Sequence, residues 1–429
     1  MTRPDRSGMA TAMNSHPAPN QRATQAPVAE NRAPIGFVEF VSLVAALMAL
    51  TALGIDAMLP ALPAIGTALG VASENQRQFV ISAFLLGFGL AQLVHGPLAD
   101  RFGRRPILLI ALAAYVVANL IAAFASNFTL LLVARFVSGL AIAASRVVTV
   151  ALVRDCYAGR AMARVMSLAF MVFMAAPVLA PSFGQVILLF GNWQMIFVMI
   201  AAVSAVVLIW FAVRMPETLA VEARQPLSLA RLASGWRRAV TDRWSLGYTL
   251  AATALLGALY GFINSVQQIV AALTGSDDLL VPVFIGVAGM MALANLLNSR
   301  IVMRLGTRRI SHSALTGLIV LAGAHLALAQ AGWETIWTFA VLQAMTMACF
   351  GLATANFSAM AMENMGAIAG TASSVQGFVT VTVGAVVGAM IGLGFDGTTV
   401  PLYRGFFVAG LVAFAIVAIV ERGRLFRPS

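Results

Sequence analysis

Two ionisable side chains in this sequence stand inside apolar runs, where a charge is expensive and is usually kept for function. Asp56 falls a few residues before the end of a run that starts at Phe37, and Arg135 falls seven residues after Phe128, where another run starts. At ~1.5 Å per helical residue, Arg135 lies roughly 10 Å below the end of its segment, a depth that matches Asp56. A carboxyl that alternates between neutral and charged forms carries a proton, and a neighbouring guanidinium acts on that balance against the effect of burial. Asp56 is read as the proton carrier and Arg135 as the group that tunes it. The plainer alternative is a permanent ion pair.

Arg146 follows Arg135 by eleven residues. At ~100° per residue the two share nearly one helical face. Arg146 should then face the inner half of a central cavity and attract an anionic or strongly polar substrate, unless it snorkels to the nearer interface. Asn264, Gln267 and Gln268 fall on one side of another segment by their spacing. Buried amides need partners, which a wet substrate cavity or neighbouring helices supply. With Tyr260 and Phe262 they are candidate cavity residues. His95 and His325 read as packing residues, Glu39 as interfacial, and Asp277, Asp278, Glu334 and Asp396 as plain loop residues.

A short connection, GPLADRFGRRP from Gly96 to Pro106, joins two apolar runs. Gly96 permits close helix approach and Gly103 a tight turn. Asp100, at a helix end, can face another helix's positive N-terminus. Arg104 can bridge Asp100 and Asp155; solvated turn charges of little energetic weight are the alternative. Further on, Pro177 and Pro181 accompany Ala176, Ala180 and Gly184. Prolines bend a helix and small residues allow close packing, so this segment reads as a hinge or a tight seal between two halves, or as ordinary helix packing.

The elements that position these groups follow from composition. The chain has 429 residues, 60% of them hydrophobic and 10% charged. Apolar runs of ~18 residues or more recur, long enough to cross a bilayer. They do not alternate with period two, which favours helices over barrel strands. The expected fold is an all-α membrane protein with twelve transmembrane helices in two six-helix halves. The spans are expected near 37–59, 78–98, 106–126, 128–152, 162–190, 193–214, 244–272, 281–302, 312–331, 335–361, 366–394 and 402–421.

Every basic residue is an arginine, and the excess of charge is +11. Its placement argues against nucleic acid as a partner. Only Arg77 and Arg404 fall on one side of the expected bilayer, Arg135 and Arg146 lie within a span, and the rest gather on the other side with both termini. The positive-inside rule places that side in the cytoplasm. Residues 1–34 and 422–429 read as cytoplasmic tails, the first disordered; 35–214 and 244–421 form the two halves. The linker 215–243 carries Leu229, Leu232, Trp236 and Val240 at helical spacing among arginines. It reads as an amphipathic helix on the inner membrane face, or as a solvated linker.

A repeat supports the division. Arg101-Phe102-Gly103-Arg104-Arg105 returns as Arg304-Leu305-Gly306-Thr307-Arg308, each at the inner end of the second helix of its half. Two related halves with a substrate site between them near mid-membrane are a common transporter design. No His/Asp/Glu cluster has metal-ligand or catalytic spacing, Cys156 and Cys349 are too far apart in sequence to suggest a framework, and no nucleotide loop is present. No enzyme activity, metal or cofactor is expected.

Several motifs together resemble the major facilitator superfamily, and within it the twelve-helix drug:proton antiporters of the Bcr/CflA type. They are Asp56-Ala57-Met58-Leu59-Pro60-Ala61-Leu62-Pro63, the Gly96–Pro106 loop, Ala134-Arg135-Phe136-Val137-Ser138-Gly139, Val153-Arg154-Asp155, Ala176-Pro177-Val178-Leu179-Ala180-Pro181 with Gly184, and the run from Asn356 to Gly366. Arg146 departs from that pattern, in which a small residue or Pro is expected. The resemblance implies a monomer in a bacterial-type plasma membrane that exports small amphipathic drugs or antibiotics of the bicyclomycin or phenicol kind against protons. It also implies that Gly96, Asp100, Gly103, Arg104 and Asp155 latch the cytoplasmic side when the transporter opens outward. Export of an endogenous metabolite (an amino acid, siderophore or organic anion) and a transporter-like sensor are the other readings.

Overall fold

Apolar segments flanked by polar caps dictate the elements of this chain, and the computed structural model describes residues 33–157, 159–224 and 226–426. The helices are α1 (Phe37–Asp56), α2 (Leu62–Ala68), α3 (Phe79–Phe102), α4 (Arg104–Ala123), α5 (Phe128–Cys156), α6 (Gly159–Phe190) and α7 (Trp193–Arg214). There follow α8 (Leu229–Thr241), α9 (Arg243–Thr274), α10 (Leu280–Leu305), α11 (Thr307–Gln330), α12 (Ile336–Met362), α13 (Ala369–Leu393) and α14 (Val400–Val420). Among the described residues, 11 helical segments are long and apolar enough to cross a membrane; α6 adds a shorter apolar stretch, Leu179–Phe190. The expected disorder of 1–34 lies almost wholly outside the described residues, as do the last three residues of the C-terminal tail.

Local chemistry explains the boundaries. Asn127, Asn192 and Asp242 each accept a backbone N–H three residues on, which starts α5, α7 and α9. Thr335 and Thr338 form a reciprocal cap at α12. The first helix is shorter than expected, while the apolar span runs on to Ala68: α1 stops at Asp56, a 3-10 turn over Leu59–Ala61 follows, and α2 restarts. Pro60 and Pro63 cause this, since proline favours the first turn of a helix over its interior. By contrast α3 runs through Pro97 to Phe102, beyond the expected end at 98. The ninth span begins at Thr307 and not 312, because its arginines lie in the first helical turn and not in a loop. The helix α6 passes through both Pro177 and Pro181.

The two repeats adopt one conformation. Gly103, between α3 and α4, has φ 108° and ψ 158°; Gly306, between α10 and α11, has φ 79° and ψ 154°. Such positive φ values favour glycine, so the tight turns rest on the glycine that the two motif copies share. These turns define the arginine-rich end of the bundle.

In the first half α3, α4, α5 and α7 pack together, with α1 against α6; in the second, α9 packs on α13 and α14, and α12 on α10 and α11. The halves meet where α3 lies along α13 and α6 along α10. The linker helix α8 docks its apolar face on protein: Ala239 packs with Met365, Ala372 and Val375, and Trp236 lies against them.

Candidate functional site

Asp56 ends α1 and is 4% exposed, with Oδ1 lacking any hydrogen-bond partner. Beside it, Gly184 of α6 packs so closely on the Ala57 carbonyl and Pro60 that a side chain there would collide with them. Pro181 and Gly184 are buried. The α6 seal expected between the halves is thus, at Gly184, a contact inside the first half; elsewhere along its length α6 meets α10 of the second.

Arg135 is fully buried. Its Nε donates to the Val80 carbonyl at 3.1 Å and one terminal nitrogen to the Gly54 carbonyl at 2.7 Å. The guanidinium lies 4.4 Å from the Phe84 ring centroid and 5.8 Å from that of Phe197. Among the described residues Arg135 and Asp56 form no ion pair, so the alternative of a permanent pair is not seen. Matching depth permitted it, but the carbonyls at the end of α1 lack helical N–H partners, and Arg135 satisfies that of Gly54, two residues short of Asp56.

Arg146 shares the face of Arg135 and has different surroundings. It is exposed although protein surrounds it, as expected for a residue lining a cleft. Among the described residues it makes no hydrogen bond or ion pair. Tyr260, on α9 of the other half, is buried, with its side chain against Gly384 and Gly388 of α13. The contrast is one of surroundings: Arg135 is enclosed by α1 and α3 of its own half, whereas Arg146 is exposed.

The closure is at the end opposite the arginines, and its residues correct the cavity reading of the α9 amides. Asn75 donates to the Leu393 and Phe395 carbonyls at 3.0 and 2.9 Å, and accepts from Gln268 at 2.9 Å. Gln267 donates to Asp277 at 2.9 Å, inside its own half. Asn264 reaches Ser82 of α3 at 3.5 Å. Gln267 and Gln268 therefore serve the closed end here, because amides at that depth found protein partners before water. Asn75 is not among the residues read from the sequence, and Asp277, read there as a plain loop residue, is the partner of Gln267.

At the arginine-rich end Arg104 holds Asp100 at 2.6 Å and Asp155 at 3.0 Å. Glu217, which sequence reasoning missed, accepts the backbone N–H groups of Arg104 and Arg105 at 2.9 and 3.2 Å. Arg105 donates to the Ala212 and Met215 carbonyls at 2.8 Å each, at the end of α7. The second half repeats this plan. Arg308, the repeat partner of Arg105, meets Glu421 at the end of α14 at 3.1 Å and Glu363 at the end of α12 at 3.7 Å. Tyr248 donates to Glu421 at 2.5 Å. The register of the two motif copies was the available signal for this cluster. Gly96 packs near Val147 of α5. Each cluster stays within its own half.

His325 is buried, with Nε2 at 2.6 Å from Glu334 and its ring stacked on Tyr403. Glu334 is therefore not the plain loop residue expected. Among the described residues no group of His, Cys, Asp and Glu is arranged to hold a metal, and both cysteines are free.

With this geometry in hand, comparison with known proteins is informative. The family model described as Major Facilitator Superfamily matches residues 44–389. The bicyclomycin resistance protein homolog of Haemophilus influenzae is 32% identical over 387 residues, covering 88% of this chain and 94% of that protein. The chloramphenicol resistance protein of Pseudomonas aeruginosa is 30% identical over 336 residues, covering 76% and 77%. Among solved structures, the xylose transporter XylE of E. coli, in a partially occluded inward-open conformation, gives a TM-score of 0.68 at 14% identity, covering 88% of this chain and 96% of that one. That last likeness is one of fold.

Proposed function

The chain belongs to the Major Facilitator Superfamily, as a multi-pass membrane transporter and not an enzyme, and on that premise we propose that it exports small amphipathic drugs of the bicyclomycin or phenicol kind against an inward flow of protons. The observation that carries the coupling is Asp56: a buried carboxyl with one oxygen unpartnered, at the end of α1 where Gly184 of α6 packs on Ala57. An unpartnered buried carboxylate is costly, and a proton removes that cost, so its occupancy biases one conformation over another. Drug and proton then bind with different affinity to the two states, as exchange requires. Relatives named for bicyclomycin and chloramphenicol resistance support the substrate class.

The arginine distribution supports a bacterial inner membrane with both termini in the cytoplasm. On that orientation the closed end, held by Asn75 and Gln268, is external, and the cleft at Arg146 receives substrate from inside. The Arg104 and Arg308 clusters, each within one half, are the groups that would meet when the inner side closes. Pro177, Pro181 and Gly184 would let α6 flex beside Asp56 during that exchange. A monomer suffices for this scheme.

The test uses everted membrane vesicles with an imposed proton gradient, to which chloramphenicol or bicyclomycin is added. Substrate-triggered loss of the gradient, absent in Asp56→Asn, is the expected result. Loss that persists undiminished in Asp56→Asn would overturn the coupling role, and no loss with any drug would overturn drug export. Arg146 favours a second reading, export of an organic anion.

A further inference from the structure

We infer that His325 and Glu334 form a proton-binding site on the outer face of the second half, apart from Asp56, and that the proton it holds keeps the closed end shut. The inference rests on the orientation proposed above, which makes that end external, and adds a second titrating site to the coupling scheme.

The pair is enclosed by protein. His325 of α11 is 0% exposed, and the side chain of Glu334, in the connection from α11 to α12, is 8% exposed. Their 2.6 Å contact, from Nε2 to Oε1, has the shortness of a charge-assisted hydrogen bond. The Tyr403 ring of α14 stacks on the imidazole with centroids 3.4 Å apart, and the Phe339 ring of α12 lies at 6.1 Å. Among the described residues the titratable groups facing His325 are Glu334 and Tyr403. The side chain that α12 presents, Phe339, has no charge, and Arg404, beside Tyr403 in sequence, is exposed.

Two costs oppose each other here. A proton on both ring nitrogens makes the pair neutral, but Nδ1 is buried with no hydrogen-bond partner and would then donate to nothing. Without that proton Nε2–H still donates to Glu334, and the carboxylate is left as a buried net negative charge. Each form carries one penalty, so the pair can exchange a proton without a large loss in either state.

The proton has a route from outside. Glu334 lines a recess of about 170 Å³ with Ala272 and Leu273 of α9, Gly332, Gly397 and Thr399. Gly332 and Gly397 are exposed, so water meets the recess at its rim.

The same carboxylate reaches the closed end. Its Oε2 accepts from the hydroxyl of Thr399, the N-cap residue of α14. The connection that ends there also carries the Phe395 carbonyl, to which Asn75 of the first half donates at 2.9 Å. Paired with an imidazolium, Glu334 stays in place and steadies the connection that Asn75 grips. Once His325 loses its second proton, the carboxylate is better served by water in the recess, and Thr399 loses its acceptor. Acid outside therefore keeps this end shut, as a brake on proton entry, and alkali loosens it.

The test is the separation across the closed end, measured between spin labels on Ala72→Cys of the first half and Asp278→Cys of the second, both exposed positions. The purified full-length protein is held in lipid nanodiscs, with Cys156 and Cys349 replaced and with Asp56→Asn to remove that group's own response to pH. The long-distance population should rise at least ~threefold between about pH 5.5 and about pH 8.5, across the range in which histidine titrates, a modest effect for a hydrogen bond to a charged group. His325→Gln, whose amide donates to Glu334 at any pH, and Glu334→Gln should each flatten the response; if one does not fold, the other decides. A long-distance population that ignores pH, or a response undiminished in either variant, overturns the site. Nanodiscs expose both faces and no drug is added, so the result is independent of drug export and of which face is external.

Discussion

Arg135 binds the carbonyl of Gly54 at 2.7 Å and leaves the carboxylate of Asp56, two residues away, unpaired. One buried cation thus fastens the end of the helix that carries a buried acid, without neutralising that acid. The geometry places Arg135 to hold the end of α1 and leaves Asp56 Oδ1 without a partner.

The first prediction concerns sign. Arg135→Ala would strand the carbonyls of Gly54 and Val80 in a dry bundle, at a cost of about 2 kcal/mol or more. Asp56→Asn removes a costly buried charge, so its thermal stability should equal or exceed that of the wild type while proton-driven transport is lost. Thermal unfolding in detergent, run beside transport, checks both. Parallel destabilisation of the two variants would point to a shared structural pair.

The second concerns Glu217. It closes the Gly103 turn by accepting four backbone N–H groups, those of Arg104, Arg105, Thr218 and Leu219. Glu217→Ala should lower stability by about 1–2 kcal/mol, the scale of a lost helix cap. Glu217→Gln should recover part of this, since one amide oxygen remains. Unfolding midpoints at fixed lipid content measure the difference.

The third concerns the closed end. Asn75 and Gln268 join the halves at 2.9 Å. A double variant, Asn75→Cys with Gln268→Cys in a background without Cys156 and Cys349, should cross-link on oxidation. Transport should stop and should return on reduction. Continued transport by the cross-linked protein would mean that this end need not open.

The fourth concerns the second half. Arg308→Ala leaves the Glu421 carboxylate, 8% exposed, without its cation. Breaking a buried charge pair by removing one partner costs roughly 3–5 kcal/mol, and partial exposure of Arg308 should hold the loss below that range. Arg308→Ala/Glu421→Gln should be more stable than the single variant, which a double-mutant cycle on unfolding midpoints would reveal.

Much of the fold was legible because its signals are local. Apolar length, the shared glycine of the two turns and the side on which arginines gather are properties of short stretches. The misjudged boundaries, at Pro60 and at the start of α11, arose where a proline or an arginine cluster was read without its helical context. Within the site, the bridge of Arg104 to Asp100 and Asp155 was legible from the turn motif, whose two sides fall on α3 and α4. Glu217 and Asn75 were not, because their partners come from distant segments; the Glu334–His325 pair, 9 residues apart in sequence, was not because a turn folds the loop back onto its helix.

By itself the sequence determined a twelve-span helical membrane protein of two halves, with Asp56, Arg135 and Arg146 embedded in it. Lipid imposes that much, since it tolerates only long apolar helices and few charges. Only the tertiary structure decided which cation meets which oxygen, and on which side the halves part. Arg135 and Arg146 share a helical face, yet one is buried against carbonyls and the other is exposed. That difference depends on the separation between two six-helix bodies, a distance that no single helix encodes.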